Sequence, residues 1–303
     1  MPDFSFIINP VAGQGSASRM HEFLERILRR RGISHDTHIT EGPGEATVVA
    51  RSASARVVVA VGGDGTINEV ANGLVGTERH LGVIPAGSGN DFIKSVGIPK
   101  NPGEALDRLL SGEPRAIDVA TIRCSDGDRN GNERYFVNGV GIGFDAAVAV
   151  RTKQIRYLTG VPLYLAAVFQ VMGRYTSPEF SITTDHGEIA GRRLLIAIGN
   201  GSCAGGGFYL TPDAVVDDGQ LDVCLIDDIP VRTILRLLPT VLWGGHKKAK
   251  EAKFLRSKHI TVRSADKFYV HADGEIVGSN VTTVSVGLVP NGLTLVGGRF
   301  TPA

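Results

Sequence analysis

Three short apolar runs near the start of the chain are each followed by a glycine-rich loop and a helix-like segment. The runs are FSFII at 4–8, RVVVAV at 56–61 and LGVIPA at 81–86, and the loops after them read NPVAGQG, GGDGT and GSGND. Helices are predicted at 16–31, 43–53 and 67–75, with a further strand near 35–40. Such alternation is typical of a parallel sheet covered by helices. We therefore expect an α/β domain whose glycine loops gather at the carboxyl edge of one sheet.

The pattern changes near residue 117, where short alternating segments separated by turn residues begin. Examples are AIDVATIRC, EFSITTDHG, QLDVCLI and TTVSVGLV. Such segments predict an antiparallel β domain. Two helical insertions, near 150–175 and 231–253, are expected to interrupt it, and the final segment GLTLVGGRF could add to either domain. The predicted fold class is therefore α/β followed by β.

Composition excludes several classes of protein. The chain has 32 Lys plus Arg against 31 Asp plus Glu, so no global basic field points to nucleic acid. Cys124, Cys203 and Cys224 are too widely spaced for a disulfide framework or a zinc site, which favours a reducing, cytoplasmic setting. The longest apolar candidate, at 161–172, is too short to span a bilayer, so no transmembrane segment is expected.

The loop GGDGT allows two interpretations. Glycines at a sharp strand-to-helix turn can serve only for positive φ, with Asp64 or Thr66 as a helix cap. Alternatively, the N–H groups of Gly62, Gly63, Gly65 and Thr66 form a phosphate cradle at a helix N-terminus. A carboxylate would repel phosphate, so in that case the natural partner of Asp64 is a bound Mg²⁺ ion.

The other two glycine loops add to the second interpretation. NPVAGQG is neither a Walker A loop nor GxGxxG and is weak on its own. IPAGSGND repeats the sequence of strand, glycines, hydroxyl and amide, with Asp91 as a second candidate carboxylate. Three such loops at one sheet edge together favour a nucleotide-binding site.

Four motifs in a fixed order identify a family resemblance. NPVAG, GGDGTINEV, IPAGSGNDF and the late triplet in YVHADGE resemble the diacylglycerol kinase catalytic-domain superfamily, which includes sphingosine and ceramide kinases. The resemblance covers essentially the whole chain and is greatest to soluble bacterial lipid kinases. It implies a nucleotide-binding domain at 1–120 of the NAD kinase and phosphofructokinase type. It also implies a β-sandwich lipid-substrate domain at 121–289, a segment 290–303 that returns to the first domain, and ATP in the cleft between them.

The resemblance also implies which residues contact the nucleotide. They are Asn9, Pro10, Gly13, Thr40, Gly62, Gly63, Asp64, Gly65, Thr66, Ile67, Asn68, Ser88, Asn90 and Asp91. Ser88 replaces a threonine that is common in relatives and keeps the hydroxyl. Asp64 and Asp91 match the carboxylates that the family uses around Mg²⁺ and the phosphates, and Asp64 is counted among the catalytic residues.

The triplet of Asp273, Gly274 and Glu275 also has two interpretations. Asp-Gly between alternating residues is a strong hairpin signal, so a plain turn is the simpler one. The resemblance makes Glu275 the favoured acceptor of the proton of the attacking lipid hydroxyl, with Asp273 as the alternative. A positioned carboxylate helps because a lipid alcohol is a poor nucleophile until it loses its proton.

A second metal site is implied in AVVDDGQLDV. The family's structural Mg²⁺ site carries over to the carboxylate of Asp218 and to the backbone carbonyls of Val215 and Gln220. Without the resemblance, this stretch reads as a turn with solvated aspartates.

Two segments suggest a lipid-facing side. The apolar stretch at 157–175 is either a helix buried on the β domain or a wall of an acyl-chain cleft. The segment at 231–258 combines apolar residues with a later basic cluster at 247–258, which suits an anionic membrane surface. A run of charges is otherwise a solvated face.

The sequence therefore predicts an ATP- and Mg²⁺-dependent lipid kinase, cytoplasmic and peripheral to the membrane, with a homodimer as a further possibility. Its substrate is expected to be diacylglycerol, a sphingoid base or another lipid alcohol. The alternatives are a kinase for a soluble NAD-like or sugar-phosphate acceptor and a non-catalytic lipid-binding module.

Overall fold

The computed structural model describes residues 2–127, 129–155, 158 and 160–299. The side chains of 14–19, 129, 130, 160 and 161 lie outside this description. The chain divides into two compact units. One contains the residues up to Asp118 together with the segment that begins at Pro290, and the other runs from Val119 to Val289.

The N-terminal unit alternates strands and helices. Its elements are β1 Phe4–Ile8, α1 Ser16–Arg30, β2 His35–Ile39, α2 Glu45–Ser52, β3 Val57–Gly62, α3 Asp64–Leu74, β4 His80–Pro85, α4 Asp91–Ser95 and α5 Pro102–Ser111. The strands β1 and β3 are neighbours, β2 pairs with β1, and β4 pairs with β3, always in parallel. Thr294 and Leu295 add a further parallel strand beside β4. The predicted parallel α/β architecture is confirmed.

The core of this unit follows from the apolar runs. The residues from Val58 to Val61 are fully buried because β3 is central in the sheet and covered on both faces. The helices α2 and α3 pack closely at Gly73, where a Cβ atom would lie 2.5 Å from the carbonyl oxygen of Thr47. A larger residue at Gly73 would therefore push the two helices apart.

The C-terminal unit is built from antiparallel strands with helices between them. Its elements are β5 Pro114–Asp126, β6 Arg129–Asn130, β7 Arg134–Phe136, β8 Gly139–Gly143, α6 Phe144–Thr152, α7 Gly160–Met172, β9 Glu179–Thr184, β10 Gly187–Gly199, β11 Leu221–Asp227, α8 Val231–Leu237, β12 Ala252–Ser257, β13 His259–Ala272 and β14 Glu275–Val296. The strands run in the order β12, β11, β10, β8, β13 and β14, and β9 pairs with both β10 and β13. The residues of β5 and β14 are shared between the two units.

Two apolar clusters hold the C-terminal unit together. The first lies among the strands and contains Phe136, Phe180 and Phe268, with the rings of Phe180 and Phe268 edge to face at 5.2 Å. The second lies where α6, α7 and α8 cover the sheet, and it includes Val168 and Ile234. The predicted antiparallel β domain with helical insertions is confirmed in outline.

Three details differ from the sequence-based expectation. The helix α3 begins at Asp64 rather than near residue 67, so this aspartate lies in the first turn. The second insertion contains α8 and the 3-10 segments Leu238–Trp243 and Gly245–Lys248, and it ends in β12. The mixed apolar and basic residues of β12 did not read as a strand, but they pair with the buried β11. The apolar stretch predicted from 157 forms α7 from Gly160 onward, and 156, 157 and 159 lie outside the described residues.

Candidate functional site

Glycine residues allow two loops of the N-terminal unit to touch backbone to backbone. A Cβ atom at Gly87 would lie 2.4 Å from the Cα atom of Gly63, and one at Gly62 would lie 2.4 Å from Thr66 Oγ1. The loops are also joined by a hydrogen bond of 2.8 Å from Ala86 N–H to the carbonyl oxygen of Gly62. The glycines after β3 and β4 are thus required by close approach as well as by the turn.

The loop after β1 joins the same edge. The amide nitrogen of Asn9 donates to Thr66 Oγ1 at 3.1 Å, and the Asn9 side-chain oxygen accepts from Val11 N–H at 3.2 Å. Thr40, which follows β2, is buried and donates its N–H to the carbonyl oxygen of Ile8 at 2.9 Å. Pro10 lies in this loop, and Gly13 has a positive φ of 57°. The ends of the four N-terminal strands therefore meet where the sequence predicts a ligand site.

Asp64 lies at the N-terminus of α3, where the helix dipole favours a negative charge. Its Oδ1 atom accepts from Phe92 N–H at 3.0 Å, which links it to the start of α4. Asp91, the first residue of α4, is buried and accepts from Lys94 Nζ at 2.8 Å. The two candidate carboxylates thus belong to one group of loops.

Neighbouring residues shape these loops. Asn90 has a left-handed backbone with φ of 51°, and its side chain exchanges hydrogen bonds with the N–H and carbonyl of Gly87. Ser88 is exposed. The N–H of Ile67 donates to the Gly63 carbonyl at 3.0 Å and its side chain is fully buried, so Ile67 supports the loop from within.

The rest of the first turn of α3 completes this group. Asn68 is buried and bonds to Asn72, one turn further along α3. The N–H groups before Ile67, among them that of Gly65, are the ones that a helix start leaves without an intrahelical partner. The candidate phosphate cradle is therefore the stretch from 63 to 66.

In the C-terminal unit, Asp273 and Gly274 form the two-residue turn between β13 and β14. Both have positive φ, 47° and 82°, as a type I′ hairpin requires. The Asp273 carboxylate is buried and accepts three backbone N–H groups, from Val137 at 2.9 Å, Asn138 at 3.0 Å and Gly139 at 2.8 Å. Asp273 therefore fastens the hairpin to the segment that leads into β8.

Glu275 is the accessible carboxylate of the triplet. It begins β14, is 37% exposed, and accepts from an Arg134 guanidinium nitrogen at 2.8 Å. An exposed carboxylate can meet a substrate hydroxyl, whereas the oxygens of Asp273 are already used by backbone donors. Within the triplet, Asp273 is committed to backbone donors and Glu275 is the carboxylate that remains accessible.

Replacement of Asp273 by alanine is expected to destabilise the fold. Three N–H groups would lose their acceptor in a buried place, and each unmade bond costs about 1–3 kcal/mol, so a total loss of about 3 kcal/mol or more is expected. Urea unfolding measures this loss, with Asp266→Ala on the exposed part of β13 as the control. An Asp273→Ala protein as stable as the wild type would contradict the anchoring role.

A largely buried polar triad, which sequence reasoning missed, includes His271, which lies on β13 two residues before Asp273. His271 Nε2 and Asp145 Oδ2 are 2.8 Å apart, and the Tyr164 hydroxyl donates to Asp145 Oδ1. Gly141 makes room, since a Cβ atom there would lie 2.2 Å from both Asp145 and His271. His271 and Asp145 are 126 residues apart, and nothing local in the sequence links them.

The triad changes the acidity of its members. Burial alone would raise the pKa of Asp145, but the charge of His271 and the hydrogen bonds from His271 and Tyr164 outweigh it and lower that pKa. Burial and the neighbouring carboxylate raise the pKa of Tyr164 well above its usual value. Asp145 is thus held ionised and Tyr164 is held as a neutral donor.

Acidification is expected to remove the contribution of Asp145 to stability. Because the pKa of Asp145 is lower in the folded state, its ionised carboxylate stabilises the fold at pH values above the usual aspartate pKa of about 3.9. This stabilisation is lost as the pH falls through the lowered folded-state pKa. Urea unfolding should show a smaller difference between wild type and Asp145→Asn at about pH 3 than at about pH 7. The exposed Asp107→Asn is the control, and a difference that does not change with pH would contradict the expectation.

The predicted metal loop contains oxygen donors and a competing cation. Asp218 Oδ1 accepts from Gln220 N–H at 3.0 Å, and the Val215 carbonyl accepts from Asp218 N–H at 3.4 Å. Arg256 lies 3.5 Å from Asp218 Oδ2 and 3.3 Å from Asp222 Oδ1. Burial raises the pKa of Asp222, and its Oδ2 atom is buried with no hydrogen-bond partner among the described residues.

These donors are of the kind that Mg²⁺ prefers. The described residues nevertheless contain no group of three or more His, Cys, Asp or Glu side chains arranged for a metal. The assignment of Val215, Asp218 and Gln220 to a metal site therefore stays a prediction.

A small apolar cavity lies beneath the helices of the C-terminal unit. It has a volume of about 60 Å³, and its walls include Tyr164, Phe208, Leu238 and His246. The rings of Tyr164 and Phe208 are 4.4 Å apart. Burial lowers the pKa of His246, whose Nε2 atom lies 3.2 Å from the carbonyl oxygen of Leu210. This cavity offers space for apolar groups, and the Tyr164 hydroxyl links it to the triad.

Comparison with known proteins identifies the family of the chain and, with it, a kinase that acts on an alcohol group. Residues 3–122 match the model of the diacylglycerol kinase catalytic domain, and residues 138–297 match that of the YegS C-terminal NAD kinase beta sandwich-like domain. The chain belongs to this family of diacylglycerol kinase-like lipid kinases. The family resemblance, the fold class and the enzyme class predicted from the sequence are confirmed.

Similar proteins support the assignment over nearly the whole length. The chain is 32% identical over 281 residues to a diacylglycerol kinase of Mycobacterium tuberculosis, covering 89% of this chain and 87% of the other. It is 28% identical to a diacylglycerol kinase of Bacillus subtilis, covering 90% and 89% of the two chains.

Solved structures agree on the fold. The chain is similar to the crystal structure of a diacylglycerol kinase from Bacillus anthracis, with a TM-score of 0.73 and 22% identity. The superposition covers 99% of this chain and 97% of the other. Yeast NADH kinase has a TM-score of 0.55 and 11% identity, with 98% of this chain and 84% of the other covered. The second likeness agrees with the predicted NAD kinase-like fold.

Proposed function

We propose that the protein transfers the γ-phosphate of ATP, in the presence of Mg²⁺, to the hydroxyl of a lipid such as diacylglycerol. The observation that carries the proposal is the loop group of the N-terminal unit, where Gly63 and Gly87 touch and Asp64 begins α3. Backbone donors at a helix start with no side chain in the way are suited to a polyphosphate. The names of the relatives support the choice of lipid.

In this proposal each part of the loop group has a task. The N–H groups of 63 to 66 bind phosphate oxygens, while Asn9 holds Thr66 and Asn90 holds Gly87 in place. Asp64 and Asp91 are the residues that would hold Mg²⁺, which supplies positive charge to neutralise the charge that develops on the phosphates.

Glu275 receives the proton in the transfer step. The lipid hydroxyl oxygen attacks the γ-phosphorus, the bond from that phosphorus to the β–γ bridging oxygen breaks, and the hydroxyl proton passes to Glu275. Arg134 keeps the carboxylate in one orientation and favours its ionised form. Asp273 contributes indirectly, because it anchors the hairpin that carries Glu275.

The apolar cavity of the C-terminal unit, with a volume of about 60 Å³, has room for only a small part of an acyl chain, and it is its lining that favours a lipid over a soluble acceptor. Its walls combine α7 and α8 with strands of the sheet, and its lining is almost entirely hydrophobic. No helix among the described residues is long and apolar enough to cross a membrane. We place the enzyme in the cytoplasm and at a membrane surface during turnover, because its proposed substrate resides in the bilayer.

Transfer of labelled γ-phosphate to a panel of acceptors tests the proposal. The panel contains diacylglycerol, monoacylglycerol, sphingosine, ceramide and phosphatidylglycerol in mixed micelles, with NAD and a sugar phosphate as soluble controls. A labelled lipid that requires Mg²⁺ is the expected result. Transfer to a soluble control alone would favour a soluble acceptor. Binding of ATP without transfer to any acceptor would favour a non-catalytic module.

A further inference from the structure

Exposed apolar side chains are concentrated on one short segment of the C-terminal unit. Among the described residues nine large hydrophobic side chains are exposed, and four of them lie between 231 and 243. These are Val231, Leu235, Leu242 and Trp243, with Trp243 65% exposed. Single exposed apolar residues are ordinary on a protein surface, but a cluster on one segment indicates an interaction site.

Another face of the same segment holds it to the protein. Ile234, Leu237, Leu238 and Val241 line the apolar cavity, at the spacing expected for one face of a helix. Ile234 is buried and the other three residues are partly buried, and this packing holds the segment against the rest of the unit. The outward apolar residues are therefore not needed for packing within the described unit.

Cations accompany the outward apolar residues. Arg232, Lys248 and Lys250 are exposed and form no salt bridge among the described residues. Two other cations of the segment are neutralised, since Arg236 pairs with Glu251 at 2.7 Å and Lys247 pairs with Asp213. The segment thus presents apolar side chains together with cations that form no salt bridge among the described residues, of which Lys250 has Glu251 as an electrostatic neighbour.

The other cations of the basic cluster at 247–258 do not belong to this surface. Arg256 is committed to Asp218 and Asp222, and Lys253 lies 3.9 Å from Asp227. Lys258 follows the far end of β12, which at ~3.3 Å per residue is about 20 Å from its start. Lys248 and Lys250 are therefore the cations of this cluster that accompany the apolar residues.

We propose that this surface docks onto an anionic lipid bilayer. We call it the α8 outer surface, and it consists of Val231, Leu235, Leu242 and Trp243 with Arg232, Lys248 and Lys250. At a membrane surface, apolar residues usually enter the headgroup region while neighbouring cations contact anionic lipids. Tryptophan is enriched at the level of the headgroups. The inference rests on the proposed function, because it names the surface from which the lipid substrate is reached.

Charge selects the bilayer over a second copy of the chain. A symmetric contact through the α8 outer surface would bring its unpaired cations close to those of the partner copy. An anionic bilayer instead offers opposite charge to Arg232, Lys248 and Lys250. Docking also has a direct consequence for substrate entry, since the docked segment forms a wall of the apolar cavity on its other face.

The single tryptophan makes the proposal directly measurable. Trp243 is the only tryptophan of the chain, so fluorescence excited selectively at tryptophan, rather than at the six tyrosines, reports this surface alone. Titration with vesicles of phosphatidylglycerol and phosphatidylcholine should shift its emission to shorter wavelength, and added salt should weaken binding. Pure phosphatidylcholine vesicles should give a much smaller effect. The absence of any shift and of any cosedimentation with anionic vesicles would overturn the proposal.

Variants that retain Trp243 as the fluorescent probe test which residues form the docking surface. Lys248→Gln and Lys250→Gln should each lower vesicle affinity about fivefold, and Leu235→Ser with Leu242→Ser should weaken it further. The controls are Lys100→Gln and Val48→Ser, which change an exposed cation and an exposed apolar residue of the N-terminal unit. Equal affinities for these controls and the surface variants would overturn the assignment. Self-association that Leu242→Ser abolishes, without vesicle binding, would replace the bilayer by a second copy.

Kinase assays separate this proposal from the proposed function. With dispersed short-chain diacylglycerol the surface variants should keep the wild-type kcat, while activity on vesicle-embedded diacylglycerol should fall with vesicle affinity. Loss of activity in both assays would mean that the residues act in catalysis rather than in docking. An enzyme that binds anionic vesicles but phosphorylates no lipid would refute the proposed function and leave the docking surface supported.

Discussion

Asp64→Asn is expected to lower kcat for lipid phosphorylation by about 10²–10³-fold, the range known for removing one group that stabilises transition-state charge electrostatically. The amide oxygen of asparagine can still accept the hydrogen bond from Phe92 N–H, so the loop should keep its geometry. What the variant lacks is the negative charge at the start of α3. The loss should therefore appear in turnover and in the Mg²⁺ requirement, with little change in the thermal unfolding temperature.

The control for this prediction is Asp36→Asn, which removes an exposed charge from β2 of the same sheet. It should leave both turnover and stability near those of the wild type. Kinetics at saturating ATP over a range of Mg²⁺ concentrations provide the measurement. Full activity of Asp64→Asn across that range would show that Asp64 has only a structural role as the first residue of the helix.

Glu275→Gln is expected to lower kcat by about 10²–10⁴-fold, the range for loss of a positioned general base. The side chain is partly exposed and its main partner is Arg134, so the fold should tolerate the change. Asp273→Asn should behave in the opposite way. Its first effect should be on stability. The two oxygens of the carboxylate accept three backbone N–H groups, whereas a neutral amide has only one oxygen that can accept and carries no charge to strengthen these bonds.

Glu133→Gln supplies a matched control for Glu275. This variant also removes one glutamate charge, at the position just before Arg134 in the sequence. The ion-pair partner of Glu133 is the exposed Arg123. Single-turnover kinetics and urea unfolding of the three variants distinguish proton transfer from support. If Asp273→Asn were fully stable and inactive while Glu275→Gln stayed active, the roles of the two carboxylates would be reversed.

Local patterns predicted the α/β part of the fold well because each signal lies within a few residues. A buried run such as VVVAV, followed by glycines, specifies a strand and its turn without reference to distant parts of the chain. The antiparallel part was predicted in outline, since alternation marks strands. The sequence did not reveal β12, because pairing with the buried β11 overrides its mixed composition.

Side-chain partners were predicted less well, because tertiary structure brings them together. The sequence predicted that the two loops lie at one sheet edge, but it did not reveal the direct contact between Gly63 and Gly87. Asp273 accepts from residues at least 134 positions away, so its turn signal says nothing about its anchoring role. The resemblance to a family supplied the candidate residues, and the geometry divides the hairpin carboxylates into one that is accessible and one that is committed.

The central claim, Mg²⁺-dependent phosphorylation of a lipid hydroxyl, is tested most directly by a single rate measurement. The purified wild-type protein is incubated with γ-labelled ATP and vesicles of phosphatidylglycerol that contain diacylglycerol, with and without chelation of Mg²⁺. We predict a labelled lipid product whose formation stops on chelation and resumes when Mg²⁺ is restored. Hydrolysis of ATP or labelling of NAD, with no labelled lipid at any Mg²⁺ concentration, would contradict the account.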